Sequence, residues 1–366
     1  MSEVMGLYPN VVLGFDDSRL CFIRLNSNSH RLMNIPKEQY TIKGNTIIFH
    51  SNCSLQEEEL SSLVVSGYTY RLLNEPRTNP ENSIHSYNIK TDDDFRGLFT
   101  LTFVLDRIKD LPDFFYPFLY TNSYQFTDEC LRTNRIKECL SKMWYVRRIR
   151  LLSNDILNSD VLLLPELEDL KVEIIVPQGY YINHLEEFSR VSKRNKIIVY
   201  INDISQYDQE RDLSIRGKRD VSYYCQINNE EDLKTLAVSS LPIIPFPSAQ
   251  APVEVIHSLL DYTTKDLMNT TIKERDLLLK TTINPFFYGS ILVDNCGHIR
   301  SYPFIDYTNK CLQDSDCDLR QMKDNPFWCL KRSTFFEKCK KCALIGLCPP
   351  LSNYEINLHQ TFCIDK

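Results

Sequence analysis

Residues 171–202 read KVEIIVPQGYYINHLEEFSRVSKRNKIIVYIN. Lys171–Val176 and Lys196–Asn202 are rich in β-branched residues and predict strands, and the stretch around 182–193 predicts a helix between them. Strand, helix and strand in this order make a parallel β/α unit, because parallel strands need a crossover long enough to return along the sheet. The pattern continues outward in both directions. Val146–Ser153 is an earlier strand, and Phe114–Thr121 an earlier one still, followed by a helical stretch over 128–142. Downstream, Ser222–Ile227 leads into the acidic helix start Asn229-Glu230-Glu231-Asp232, and Leu241–Phe246 precedes a helix from Val253 to about Met268. Six such units over residues 93–282 fit a partial barrel or an open sheet. A helix over 272–281 then leads to two extended runs, Phe286–Val293 and His298–Phe304. Asp294-Asn295-Cys296-Gly297 between them reads as a hairpin turn.

Upstream of this array, residues 1–75 predict a small α+β module. Its strands are Val11–Phe15, Leu20–Leu25 and Thr46–Phe49, and the capping pattern Ser54-Leu55-Gln56-Glu57 opens a helix. Residues 74–92, polar and carrying Pro76 and Pro80, read as a linker.

The chain has 366 residues, 43% of them hydrophobic, and a formal net charge of −6, so no basic surplus is available to neutralise a nucleic-acid backbone. The start MSEVMGLYPN has no basic region followed by an apolar run, and no run of about 18 apolar residues occurs; a cytoplasmic protein without a membrane partner is expected. Neither G-x-S-x-G, a P-loop nor G-x-G-x-x-G is present, which leaves hydrolase, nucleotide-triphosphatase and dinucleotide readings unsupported.

Of thirteen cysteines, eight fall between Cys296 and Cys363. Structural disulfides are out of place in a reducing compartment, so a cluster there reads as metal ligands. Cys339 and Cys342 have the C-x2-C spacing that reaches one metal from a tight loop, Cys348 follows six residues later, and Cys363 is the candidate fourth ligand. Lys338, Lys340 and Lys341 favour the thiolate, the form that binds metal. Four thiolates suit either a four-iron cluster or structural zinc. Cys311, Cys317 and Cys329 are spaced too irregularly to name a second site, and Cys21, Cys53, Cys130, Cys139 and Cys225 read as small buried apolar residues.

C-x2-C-x5-C, preceded by a hairpin carrying Gly297, resembles the SPASM extension of radical SAM peptide-modifying enzymes. Over residues 110–366 the resemblance implies an α/β fold: a partial (β/α)6 barrel followed, at 283–366, by a Cys-rich SPASM-like extension. In that family the extension holds up to two auxiliary clusters. Here Tyr302 stands five residues beyond Gly297 and Ser352 four beyond Cys348, where the family has Cys. No Cys lies 10–16 residues before Gly297 either. These missing ligands all belong to the family's first cluster, so the resemblance implies one [4Fe-4S] cluster, on Cys339, Cys342, Cys348 and Cys363. The C-x3-C-x2-C motif that holds the catalytic cluster occurs nowhere in the chain, and Leu152-Ser153-Asn154-Asp155 replaces the Gly-Gly-Glu-type segment. S-adenosylmethionine is therefore not expected as a cofactor.

The tail Cys348-Pro-Pro-Leu-Ser-Asn-Tyr-Glu355, the missing motif and the length are similar to the pseudo-radical-SAM proteins of Bacteroidales. These are encoded beside a radical SAM maturase and a precursor peptide with a Gly-Gly leader. The resemblance implies a non-catalytic accessory protein of ribosomal peptide (RiPP) maturation, with the precursor peptide, the maturase or both as partners. The N-terminal module reads as a structural cap, and it also resembles the element that binds leader peptides by strand addition. Two other readings stay open. One is an enzyme with atypical barrel chemistry or an electron relay, its site at the strand ends near Asn122, Asn154, Asn202 and Ser248. The other is a zinc-stapled scaffold. Arg147-Arg148-Ile149-Arg150 reads as a solvated strand end or an acidic-peptide contact, and His298 and His359 as substitute ligands or ordinary histidines.

Overall fold

The computed structural model describes residues 2–72, 100–106, 114–115, 119–120, 131–141, 146–191, 195–206, 221–238, 243–248, 251–301 and 326–364. The linker 74–92, Asn122, Cys130, Tyr302, Cys311 and Cys317 lie outside them. The chain divides into two units: Met1–Asp93, Tyr262–Pro285 and Cys329–Lys366 form one, and Asp94–Asp261 with Phe286–Trp328 the other.

The first unit opens with seven short strands. They are β1 (Glu3–Leu7), β2 (Val11–Phe15), β3 (Leu20–Arg24), β4 (Arg31–Met33), β5 (Tyr40–Lys43), β6 (Thr46–Phe49) and β7 (Thr69–Arg71). They form two antiparallel sheets, in the orders β5-β6-β1-β7 and β2-β3-β4. The expected three strands and a helix are thus seven strands and one helix, Glu57–Val65, among the described residues. The helix is capped differently from expectation. Glu59 accepts from the Gln56 N–H at 3.0 Å, while Ser54 turns to Gln39 Oε1 at 2.8 and 2.9 Å.

Sheet β2-β3-β4 is buried on both faces. Val11, Leu13, Leu20 and Phe22 point into a core with Met5, Ile47, Phe49, Leu60 and Leu63. The alternate residues Val12, Cys21 and Ile23 pack on Leu267, Ile272, Leu277, Ala343, Leu344 and Leu347, from the other two segments of the unit. Burial on both faces is why these strands read as unbroken apolar runs.

The second unit is a mixed α/β structure around a parallel sheet. Its strands are β8 (Thr100–Val104), the two-residue pair β9 (Phe114–Phe115) and β10 (Leu119–Tyr120), β11 (Arg148–Leu152), β12 (Lys171–Pro177), β13 (Lys196–Ile201), β14 (Val221–Ile227), β15 (Ile243–Pro247), β16 (Ser290–Val293) and β17 (Ile299–Ser301). The large sheet has the order β15-β14-β13-β12-β11-β8-β16-β17. Its first seven members are parallel, and β17 is an antiparallel edge.

The expected opening strand Phe114–Thr121 is corrected. Its two ends pair with each other, and β8 takes its place in the sheet. Pro117 supplies no N–H for a central ladder, whereas all five residues of β8 are buried. Pro245 and Pro247 are tolerated because β15 is an edge strand. Val104, Leu152, Ile175, Ile198, Tyr200, Phe246 and Leu292 form the apolar cluster on one face. The expected helix from Val253 to Met268 is two helices, Val253–Leu260 and Thr264–Met268, because Thr263 and Asp266 form a capping box that starts the second.

Candidate metal centre

The tail is built in short steps. A helical turn, Arg332–Phe335, and a 3-10 turn, Glu337–Cys339, lead into the C-x2-C loop. The Cys342 N–H donates to Cys339 O at 3.3 Å, the Leu344 N–H to Cys342 Sγ at 3.4 Å, and the Cys348 N–H to Leu344 O at 3.2 Å. Ala343, Leu344 and Leu347 anchor this loop in the core beneath β2 and β3. Cys363 arrives on the last described segment. The Tyr262 N–H donates to Phe362 O at 3.0 Å and the Ile364 N–H to Tyr262 O at 3.2 Å, so Cys363 is held in a parallel bridge with Tyr262.

The four sequence-predicted thiols come together: each lies within electrostatic reach of the other three. They do not converge on a point. Among the described residues, three ligand atoms within 4.8 Å of one another occur at Asp294, Cys296 and His298, not in the tail. Zinc–sulfur bonds of about 2.3 Å put tetrahedral sulfurs roughly 3.8 Å apart. In a four-iron cube each thiolate takes its own iron and the sulfurs stand wider. Four thiolates are a donor set for either group.

Burial dominates the electrostatics. Desolvation pushes the Cys348 thiol up to about 12 and the Cys339 thiol to about 11, and raises Cys342 as well. Against it stands Arg332, whose charge favours the thiolates of Cys339 and Cys348. The lysines singled out in the sequence have a smaller part. Lys340 faces Glu337 at 3.6 Å with both side chains exposed, and Lys338 ranks behind Arg332 at Cys339.

Arg332 is itself buried and forked onto Glu355, with Nη2 to Oε2 at 2.6 Å, and its Nε donates to Pro349 O at 3.2 Å. Lys280, its charge disfavoured by burial, lies within electrostatic reach of Cys348. The Tyr262 hydroxyl is buried with no hydrogen-bond partner among the described residues, and it interacts electrostatically with Cys348 and Cys363. Buried Arg332, half-buried Lys280 and an orphaned hydroxyl beside four thiols suit an anionic group held there.

Sequence reasoning missed Arg332, Lys280 and Tyr262. It also missed Cys21, a fully buried β3 thiol within electrostatic reach of Cys342. None carries a spacing signal, since each meets the tail only through the fold. Ser352, at the position of a missing family ligand, caps the final helix Asn353–Leu358. His359 stacks on Phe335 with ring centroids 5.5 Å apart. Cys329 is an exposed thiol.

The Asn154 N–H donates to Asp106 at 3.1 Å, and the Ser248 N–H to Ile227 O at 2.8 Å. Arg150 is not a solvated strand end: it is buried and neutralised by Glu173 of β12 at 2.8 Å. No helix among the described residues is long and apolar enough to cross a membrane.

No protein-family model matches the chain, and no curated protein matches it. Among solved structures the chain is similar to Streptococcus suis SuiB bound to precursor peptide SuiA, at 13% identity and a TM-score of 0.40, over 98% of this chain and 97% of that one.

Proposed function

We propose that the chain is a non-catalytic accessory protein of ribosomal peptide maturation, carrying one [4Fe-4S] cluster on Cys339, Cys342, Cys348 and Cys363. It binds the precursor peptide, a partner radical SAM maturase, or both. The observation that carries the reading is the four-thiol set, in which each of Cys339, Cys342, Cys348 and Cys363 lies within electrostatic reach of the other three. The consecutive strand order from β11 to β15 supports a partial (β/α)6 barrel, since every crossover advances in the same direction. The tail then stands as a SPASM-like extension. The absence of C-x3-C-x2-C from the sequence supports a role without S-adenosylmethionine cleavage.

A cluster at this place supplies electron-accepting capacity and a rigid junction. The chain's own residues would hold it: Arg332, paired with Glu355, favours the thiolates of Cys339 and Cys348, Lys280 lies within reach of Cys348, and the Tyr262 hydroxyl would be free to donate. Protein purified without oxygen is expected to hold about four irons and four sulfides per chain, lost in Cys339→Ala. It is also expected to copurify with a radical SAM maturase or a precursor peptide. One zinc and no sulfide would remove the cluster from the proposal, and capture of neither partner would remove the accessory role.

A further inference from the structure

We propose a second metal site, for a divalent transition metal of the zinc class, at the tip of the β16–β17 hairpin, with Asp294, Cys296 and His298 as its ligands. One ligand atom from each of the three lies within 4.8 Å of the others. The turn itself creates the arrangement. Gly297 takes φ +87°, its N–H donates to Asp294 O at 2.9 Å, and the Asp294 N–H donates to His298 O at 3.0 Å. This reversal brings residues two and four positions apart onto one side.

Asp294 is fully buried, and its Oδ1 accepts from the Cys296 N–H at 2.9 Å and the His298 N–H at 2.8 Å. These two bonds fix the carboxylate, as the outer partners of metal ligands do, and leave Oδ2 facing His298 Nδ1 at 3.3 Å. His298 Nδ1 is shielded from solvent and has no hydrogen-bond partner among the described residues. Oxygen, sulfur and nitrogen donors together suit a borderline metal such as zinc or cobalt(II) more than the hard cations, which take oxygen alone. Three protein ligands leave a fourth position for water or an added ligand.

The test is cobalt(II) and zinc addition to the full-length chain, read by metal content and by the sulfur-to-cobalt absorption band. Wild-type protein is expected to hold one equivalent more than Cys296→Ser or His298→Gln. The share of the band that Cys296 contributes should be missing in Cys296→Ser and persist in Cys342→Ala. Asp294→Asn keeps the Oδ1 acceptor that the turn needs and should still lose the metal. Equal metal content and spectra in wild type, Cys296→Ser and His298→Gln would overturn the site. So would a band that depends on Cys342 and not on Cys296.

Discussion

Arg332 makes contacts that no other side chain of the tail makes: its guanidinium joins Glu355 to the carbonyls of Pro349 and Pro350, just past Cys348. Both charged side chains are almost wholly buried, at 4% and 2% exposure. Arg332→Ala would leave a buried carboxylate alone, and breaking such a pair from one side costs about 3–5 kcal/mol. Urea denaturation should show a loss of that size, and a loss below about 1 kcal/mol would contradict the assignment. Arg332→Met with Glu355→Leu should lose far less, because no charge is stranded.

His30 gives a pH prediction at the same scale. Its Nδ1 accepts from the Arg24 N–H at 3.2 Å and its Nε2 donates to Thr270 O at 2.7 Å, so the neutral ring ties β3 to the 262–285 segment. Burial, with the Arg24 charge, holds its pKa below the usual value, against the opposing pull of Thr270 O. The unfolded chain therefore takes up the proton first as pH falls. The contribution of His30 is complete above about pH 6.5, declines below that value, and levels off once the folded state also protonates. Thermal unfolding of wild type and His30→Gln between pH 7.5 and 5.5 should converge as pH drops. Parallel curves would exclude the linkage.

At the scale of elements, the final helix depends on its first residue. Ser352 Oγ accepts from the Glu355 N–H at 3.2 Å, and Glu355 Oε2 accepts from the Ser352 N–H at 3.1 Å. Ser352→Ala should cost about 1 kcal/mol in a denaturation series. It should also loosen Glu355, so its effect and that of Arg332→Ala should not add. A double-mutant cycle showing simple additivity would mean that the cap and the ion pair are separate.

The elements also show what a linear reading can reach. β12, β13 and β14 were legible because their apolar, β-branched runs are long and bounded by turns. β4 and β7, three residues each, carry too little pattern. β8 is a short run beside the more apolar Phe114–Thr121, whose described ends pair with each other rather than in the large sheet. At the site the cysteine spacing was legible because C-x2-C is local. Tyr262, Arg332 and Cys21 were not, since their place beside the thiols is a property of packing between distant segments.

The whole-molecule consequence of that packing is a prediction about truncation. Residues 329–366 supply Ala343, Leu344 and Leu347 to the core that covers Val12, Cys21 and Ile23. A chain ending at Trp328 should expose this face, bind a hydrophobic dye and melt well below the full-length protein. A truncated chain with unchanged melting and no dye binding would show that the tail is dispensable to the first unit.

The doubly covered sheet β2-β3-β4 also sets a schedule for synthesis on the ribosome. Its inner partners emerge with it, but its outer partners follow in two steps, Leu267–Leu277 roughly 250 residues later and Ala343–Leu347 roughly 320 residues later, which at about 5–20 residues per second is roughly 12 to 65 s. Throughout that interval the nascent chain carries Val12, Cys21 and Ile23 uncovered, and the intervening sheet has to be translated first. Such a chain is a natural client for holding chaperones, and its yield should depend on translation rate more than on the stability of the finished fold.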